Sequence, residues 1–458
     1  MASRALVIGL DGMPLSLLRQ LAADGVMPRT ASLLRHGVTA ELLAPVPEIS
    51  STSWASFLTG VGPGRHGIYG FTDLRPGGYG VYFPNLADLQ ARPIWDYAAA
   101  QGRTTLCLNV PGTYPAARIR GVMVSGFVAP SLRRAVQPER LAGVLSGLGY
   151  QIDVAVGDVA ADPRAFLDRV RQSLTARTRA FGHLLGCEPW ELAIAVLTET
   201  DRLQHFLWCH VTDPASDLHE PVLEVYRLVD AAVGALADQA DGDTGLFIVS
   251  DHGFGPASCQ FHVNAWLREQ GWLAGLAQAA TLTSIDGSTR VFALDPARFY
   301  LHTADRFPRG RLRGREADLL AAELAAALRR LRWRDGAVGP DLDGPAVISE
   351  VYLRDEIYHG PLASRAPDVV AVPAPGVQLR GDWKAPALTG PDILTGTHTR
   401  DDAVFWASSP DVAADLVEMA DLAPTVLGSL GIEAGPLDGR DLCSAGSRDP
   451  DLPARRQS

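Results

Sequence analysis

Asp201 and His205, and the adjacent pair Asp251-His252, each set a carboxylate and an imidazole at the end of a short run rich in Val, Ile and Leu. Two residues of the same types flank them. Asp11 follows Ala5-Leu6-Val7-Ile8-Gly9-Leu10, and His398 sits in Gly396-Thr397-His398. Oxygen and imidazole donors arriving from several strand ends are how a fold builds a zinc-type or manganese-type site. Together they suggest a two-metal centre for phosphate-ester chemistry. A hydroxyl-rich turn, Ser50-Ser51-Thr52-Ser53, leads into Trp54-Ala55-Ser56-Phe57-Leu58-Thr59-Gly60, which has helical spacing and ends at a glycine. A serine at a helix start is ordinarily a cap, but a cap accounts for one hydroxyl and not for four in a row. A hydroxyl at a helix N-terminus facing the metals would have N–H groups beside it to hold a phosphoryl oxygen. A metal would also lower its pKa.

These residues need elements to position them. Near-continuous apolar runs predict strands at Ala5–Leu10, Thr104–Asn109, Leu192–Thr198, Gly245–Ser250, Asp368–Val372 and Val404–Ala407. Runs that do not alternate suit strands covered on both faces. Helical patterns separate them, at Pro14–Ala23, Pro163–Leu185 and Leu319–Leu331. Alternating strands and helices predict an α/β fold with a mostly parallel sheet and helices on both sides. In such sheets ligands bind at the carboxyl ends of strands, which is where Asp11, Asn109, Asp201 and Asp251 fall. An aspartate after a strand often caps the next helix, but four such positions together with spaced histidines exceed what capping explains. Residues 255–345 mix Gly, Arg and short apolar pieces and are expected to form a cap-like insertion in a catalytic domain spanning 1–443. The tail 444–458 is polar and is expected to be disordered.

The bulk properties narrow the classes. The chain has 458 residues, 47% hydrophobic and 20% charged, enough for a sizeable core. Its formal net charge of -11 argues against a general nucleic-acid binder. It leaves room for a small anionic phosphate ester, because bound cations reverse the local field. Five scattered cysteines with no CxxC pair read as buried thiols rather than a disulfide framework. No segment looks like a signal sequence or a membrane span, so a cytoplasmic protein without a membrane role is expected. Oligomeric state is not readable. His66, in a Gly-rich loop, reads as structural. His262 follows Asp251-His252 closely enough to face a substrate, with a satisfied loop histidine as the equal alternative. Arg400 follows His398 closely, though an exposed arginine is the simpler reading.

With these segments aligned, the chain resembles the alkaline phosphatase superfamily, and within it the type I phosphodiesterase/nucleotide pyrophosphatase family. The resemblance runs from Ala5 to Leu442. It is carried by Gly9-Leu10-Asp11-Gly12, by Ser50 to Gly60, by Pro63-Gly64-Arg65-His66-Gly67-Ile68 and by Leu108-Asn109-Val110-Pro111-Gly112-Thr113. It continues through Thr200-Asp201-Arg202-Leu203-Gln204-His205, Ser250-Asp251-His252-Gly253-Phe254-Gly255, Arg365-Ala366-Pro367-Asp368, Gly396-Thr397-His398 and the segment from Asp421 to Arg440. It implies an alkaline-phosphatase-like three-layer α/β/α fold and two divalent ions, zinc first, with manganese or iron also accepted by these ligands. One ion would take Asp201, His205 and His398, and the other Asp11, Asp251 and His252. The family nucleophile lies ten positions before the glycine of the Thr-Gly pair, which here is Gly60 and gives Ser50. Ser51 and Thr52 stay open if the turn is shifted. The sequence departs where nucleotide pyrophosphatases carry an Asn that binds a phosphoryl oxygen, since Ser53 stands there. No counterpart to the phosphate-clamping Arg of the monoesterases is evident. The implied function is hydrolysis of a phosphodiester or pyrophosphate bond of a small or nucleotide-like substrate through a phosphoseryl intermediate. A phosphomonoesterase, or a phosphonate hydrolase or mutase on the same scaffold, is the alternative.

Overall fold

The strands at the centre of the molecule are buried along their length: every residue of Leu192–Leu197 and of Thr105–Val110 is inaccessible. Because side chains alternate between faces of a strand, such runs require cover on both sides. The computed structural model describes residues 2–275, 281–390, 393–413 and 416–443. The expectation for the tail 444–458 lies outside them. The central sheet has nine strands. In chain order they are β1 (Arg4–Leu10), β2 (Val38–Leu43), β3 (Thr105–Val110), β4 (Gly121–Ser125), β5 (Val136–Gln137), β6 (Leu192–Leu197), β7 (Thr244–Val249), β8 (Ala403–Ala407) and β9 (Val417–Glu418). Their spatial order is β9-β2-β8-β7-β1-β6-β3-β4-β5. The run from β7 to β4 is parallel, whereas β8 is antiparallel to both its neighbours.

The alternation sorts the core into two layers. Leu6, Ile8 and Leu10 of β1 and Ala193, Ala195 and Leu197 of β6 pack on one face, with apolar residues of the helices Leu15–Ala23, α2 (Pro163–Cys187) and His219–Ala237. Ala5 and Val7 of β1 and Leu192, Ile194 and Val196 of β6 pack on the other, against Trp54, Phe57 and Leu58 of α1 (Ser50–Thr59). The result is the three-layer α/β/α arrangement. Helix α2 opens on Asp162, whose side chain accepts from Ala165 N at 2.9 Å, with proline at its start, both favoured there.

A second core stands beside the sheet. Four antiparallel strands, in the order Val291–Leu294, Arg298–Leu301, Val369–Pro373 and Ile348–Leu353, are packed by the helix Gly314–Arg329. Its buried residues run from Cys259 to Leu379, past the 345 suggested by composition. The run at Asp368–Val372, read from sequence beside the central strands, belongs to this second sheet. A buried Val-Val-Ala-Val run looks the same in either sheet, so periodicity could not place it.

Candidate metal centre and nucleophile

Three neighbouring parallel strands, β7, β1 and β6, end at the same edge. Asp11 follows β1, Asp251 and His252 follow β7, and Asp201 and His205 lie on α3 (Glu199–Thr212), which begins two residues after β6. His398 arrives from a separate ribbon, in which Gly396–Thr399 pairs antiparallel with Gly253–Pro256 so that His398 faces Phe254. Gly396 is required there. A Cβ on it would sit 2.5 Å from Gln204 O and 2.7 Å from the Phe254 ring.

The six side chains form two groups, each with donor atoms within 4.8 Å of one another: Asp201, His205 and His398, and Asp11, Asp251 and His252. The second group is wholly buried, whereas His205 and His398 keep some exposure. The first group therefore forms the open side of the site.

The histidine hydrogen bonds fix what each ring offers. Nδ1 of His205 lies 3.3 Å from Gly396 O, that of His398 3.0 Å from Glu48 O, and that of His252 2.9 Å from Gly253 O. A carbonyl only accepts, so each Nδ1 carries the proton and each Nε2 presents a lone pair, the arrangement that orients metal-binding imidazoles. The Nε2 atoms of His205 and His398 are 3.0 Å apart, and each lies within 3.3 Å of Asp201 Oδ1. Asp201 Oδ1 and Asp251 Oδ2 are buried with no hydrogen-bond partner. Lone pairs converging at these distances repel unless a positive charge sits among them. The donor set therefore fits a divalent cation in each group.

The carboxylates carry the same message. Burial, then Asp251 and Asp201, push the Asp11 carboxyl well above the ordinary carboxylate range. Burial raises that of Asp251 to about 7. For Asp201 burial also pushes upward, but positive charge on the His205 and His398 rings, where a bound cation would otherwise sit, overrides it and holds the group well below its ordinary value. Burial drives the His252 imidazole well down, so it stays neutral. Bound cations would favour the charged form of all three carboxylates.

Ser50 opens α1, whose ten residues are all buried and whose start has no side-chain cap. Its Oγ lies 3.1 Å from His252 Nε2 and 3.5 Å from Asp11 Oδ1. One turn on, Trp54 donates its indole N–H to Asp11 Oδ2 at 3.2 Å. Helix and metal group are thus tied twice. They are also packed closely, since a Cβ on Gly9 would lie 2.7 Å from the Trp54 ring. Ser53 shares the Ser50 side of the helix by its spacing, and its hydroxyl is buried without a partner, as are those of Ser51 and Thr52.

Other positions fall elsewhere. His66 accepts from Ile68 N at 3.1 Å and donates from Nε2 to Ser56 Oγ at 3.0 Å. Burial lowers its pKa to about 3, so it is a neutral packing residue. His262 ends the strand Cys259–His262, in register with Arg380, and belongs to neither donor group. Arg400 pairs with Glu350 at 3.1 Å. Asn109 adopts φ 61° and binds Val196 O and the Tyr150 hydroxyl, a structural role. Sequence reasoning passed over Trp54 and Phe254. The signal for Trp54 was its place four residues after Ser50, one helical turn away.

The model for type I phosphodiesterase / nucleotide pyrophosphatase matches residues 5–401 of the chain. No curated protein matches it in sequence. Among solved structures, phosphonoacetate hydrolase from Sinorhizobium meliloti 1021 with phosphonoformate superposes with a TM-score of 0.64 at 15% identity, covering 94% of this chain and 96% of that one. Human ectonucleotide pyrophosphatase / phosphodiesterase 5 superposes with a TM-score of 0.57 at 17% identity, covering 95% and 97%. At these identities the likeness is one of fold.

Proposed function

This chain belongs to the type I phosphodiesterase / nucleotide pyrophosphatase family, a family of phosphoric ester hydrolases, and from that premise we propose that it cleaves a phosphodiester or pyrophosphate bond of a small or nucleotide-like substrate with Ser50 as nucleophile. The observation that carries the reading is the Ser50 hydroxyl at the start of a buried helix, 3.1 Å from His252 Nε2 and 3.5 Å from Asp11 Oδ1. Asp11, Asp251 and His252 would hold one divalent ion, and Asp201, His205 and His398 a second, zinc first among the candidates. Such ions, when bound, neutralise phosphoryl oxygens and lower the pKa of an adjacent hydroxyl.

The chain's own groups then do the following. The open side at His205 and His398 admits the phosphoryl group, and the α1 N-terminus offers it backbone N–H groups. Ser53, buried and unpartnered, supplies a hydroxyl hydrogen bond to a phosphoryl oxygen. Ser50 Oγ attacks phosphorus in line, the bond to the leaving oxygen breaks, and the serine proton ends on the leaving alcohol or phosphate. Water then attacks the phosphoserine. The Ser50 Oγ–P bond breaks, the phosphoryl group leaves with the hydroxyl of that water, and the other proton of the water goes to Ser50 Oγ. Catalysis on this scheme is chiefly positioning and charge neutralisation. No helix among the described residues is long and apolar enough to cross a membrane.

Ser50→Ala tests the scheme. Turnover should disappear, bound metal should stay near the wild-type content, and the phosphoserine trapped on rapid acid quench should be lost. Full activity in that variant would move the nucleophile elsewhere. A second reading is a phosphomonoesterase or phosphonate hydrolase on the same scaffold, since the phosphonoacetate hydrolase structure shares this fold and Ser53 departs from the Asn of the nucleotide pyrophosphatases. Relative rates on bis-p-nitrophenyl phosphate and p-nitrophenyl phosphate separate the two.

A further inference from the structure

Arg202 follows Asp201 directly, on the first turn of α3. One edge of its guanidinium is tied down, with Nε 3.0 Å and Nη2 2.7 Å from the two oxygens of Asp153. Its charged end also lies over the Phe127 ring, 4.9 Å from the centroid. A two-point carboxylate contact and an aromatic face together fix the plane of an arginine. The remaining nitrogen, Nη1, lies 3.8 Å from Asp201 Oδ2, too far for a hydrogen bond. The two bonds to Asp153 are those the guanidinium makes among the described residues. The side chain retains 22% exposure. An oriented cation with an open donor edge beside the site is more than a structural tie needs.

Its position says what that edge could receive. His205 and His398 approach Asp201 through Oδ1, whereas Arg202 stands nearest Oδ2. The cation is therefore offset to one side of the donor group, within electrostatic reach of Asp11 as well as Asp201. A group bound there would be a neighbour of the reacting phosphorus rather than the reacting group itself.

We propose that Arg202 is a specificity-determining residue, whose Nη1 edge receives a second anionic group beside the reacting phosphoryl group, as a pyrophosphate linkage carries and a simple phosphodiester does not. The inference rests on the reading of the site as a phosphoryl-transfer centre. Asp153 is the positioning residue that holds the guanidinium for the task.

The test compares wild type, Arg202→Met, Arg202→Lys and Asp153→Asn on two substrates: a dinucleoside diphosphate, and the p-nitrophenyl ester of a nucleoside monophosphate. Loss of a charge-assisted hydrogen bond predicts that Arg202→Met lowers kcat/KM on the diphosphate by about 10- to 100-fold, mainly through KM. On the diester the loss should stay under about fivefold. Lysine should restore part of the difference, because it keeps the charge and loses the fork. Asp153→Asn should fall between wild type and Arg202→Met. An equal loss on both substrates, or none on the diphosphate, overturns the proposal. Calorimetric binding of inorganic pyrophosphate and inorganic phosphate supplies a readout independent of turnover. Arg202→Met should weaken pyrophosphate at least tenfold more than phosphate, and equal weakening counts against the assignment. If wild type hydrolyses neither ester, the proposed function fails and the pyrophosphate measurement still decides the role of Arg202. If Arg202→Met does not fold, the lysine and Asp153→Asn variants decide on the same ratios.

Discussion

Replacing Trp54 with Phe removes one hydrogen atom's worth of chemistry from the site. The indole N–H that donates to Asp11 Oδ2 at 3.2 Å is lost, while an aromatic ring stays in a fully buried position. A hydrogen bond to a charged group contributes about 1.5–3 kcal/mol. Partners of metal ligands typically change metal affinity by about 10- to 100-fold when removed. At about 1.4 kcal/mol per factor of ten the two ranges agree. On the proposed two-ion reading, Trp54→Phe should therefore weaken metal affinity at Asp11, Asp251 and His252 by about 10- to 100-fold. Affinity at the Asp201, His205 and His398 group should stay nearly as before. The assay is calorimetric titration of the metal-stripped protein with Zn²⁺ or Mn²⁺, read as two resolved binding steps. The smaller ring also leaves a cavity, and Phe57→Leu controls for it, since Phe57 packs edge-on against Trp54 with centroids 5.5 Å apart and makes no bond to Asp11. If both steps of Trp54→Phe match wild type, or if Phe57→Leu weakens the same step equally, Trp54 is only a packing residue and the reasoning is wrong.

Three further outcomes follow from named contacts. Arg177 and Glu199 form a fully buried pair at 2.8 Å that anchors the start of α3; Arg177→Met should lower stability by about 3–5 kcal/mol by stranding Glu199, and Arg177→Met with Glu199→Leu should recover most of it. Urea midpoints measure both, and a single-variant loss under about 1 kcal/mol would falsify the account. His66 has a folded pKa of about 3 against an ordinary 6.5, so below pH 6.5 the unfolded chain takes up a proton that the folded protein refuses, and stability falls with falling pH. Between pH 6.5 and 5.0 the linkage predicts about 1.7 kcal/mol of loss, which His66→Gln should remove in denaturation curves at the two pH values; parallel curves for the two proteins would contradict it. Gly9→Ala puts a methyl 2.7 Å from the Trp54 ring and 2.9 Å from Val196, and the overlap should cost about 1–3 kcal/mol and push α1 away, lowering kcat more than KM; wild-type kcat would show that the ring can give way.

What could be read from sequence was whatever obeys strand periodicity and strand-end placement. Asp11 and Asp251 could be read because each follows a run too apolar to be a loop, and Asp201 because it comes four residues after such a run, on the first turn of α3; parallel neighbours end at one edge. His398 was visible only as a residue type in a glycine-flanked triplet, because nothing local says that its ribbon folds back onto α3. Trp54, Phe254 and Arg202 act across the fold, and their partners lie 43, 144 and 49 positions away in Asp11, His398 and Asp153. No period or motif encodes such pairings. The second core was the least legible part. Its Val369–Pro373 strand has the composition of a central strand, and burial alone cannot tell one sheet from another.

The ribbon that pairs Phe254 with His398 has a consequence for how such a chain can change over evolutionary time. The polypeptide leaves the catalytic edge after Pro256 and comes back at Gly396, and these two residues are themselves partners in the ribbon. Exit and return are stitched together at the site, so the loop of chain between them is closed off like a cassette with its two terminals soldered side by side. The material inside can change in its outer loops without moving His398, provided the four paired positions keep their register and Glu350, Tyr358 and Thr395 keep their bonds to Arg400, Val46 and His205. A chain altered in those outer loops would keep Asp11, Asp251 and His252 at the sheet edge and His398 beside them.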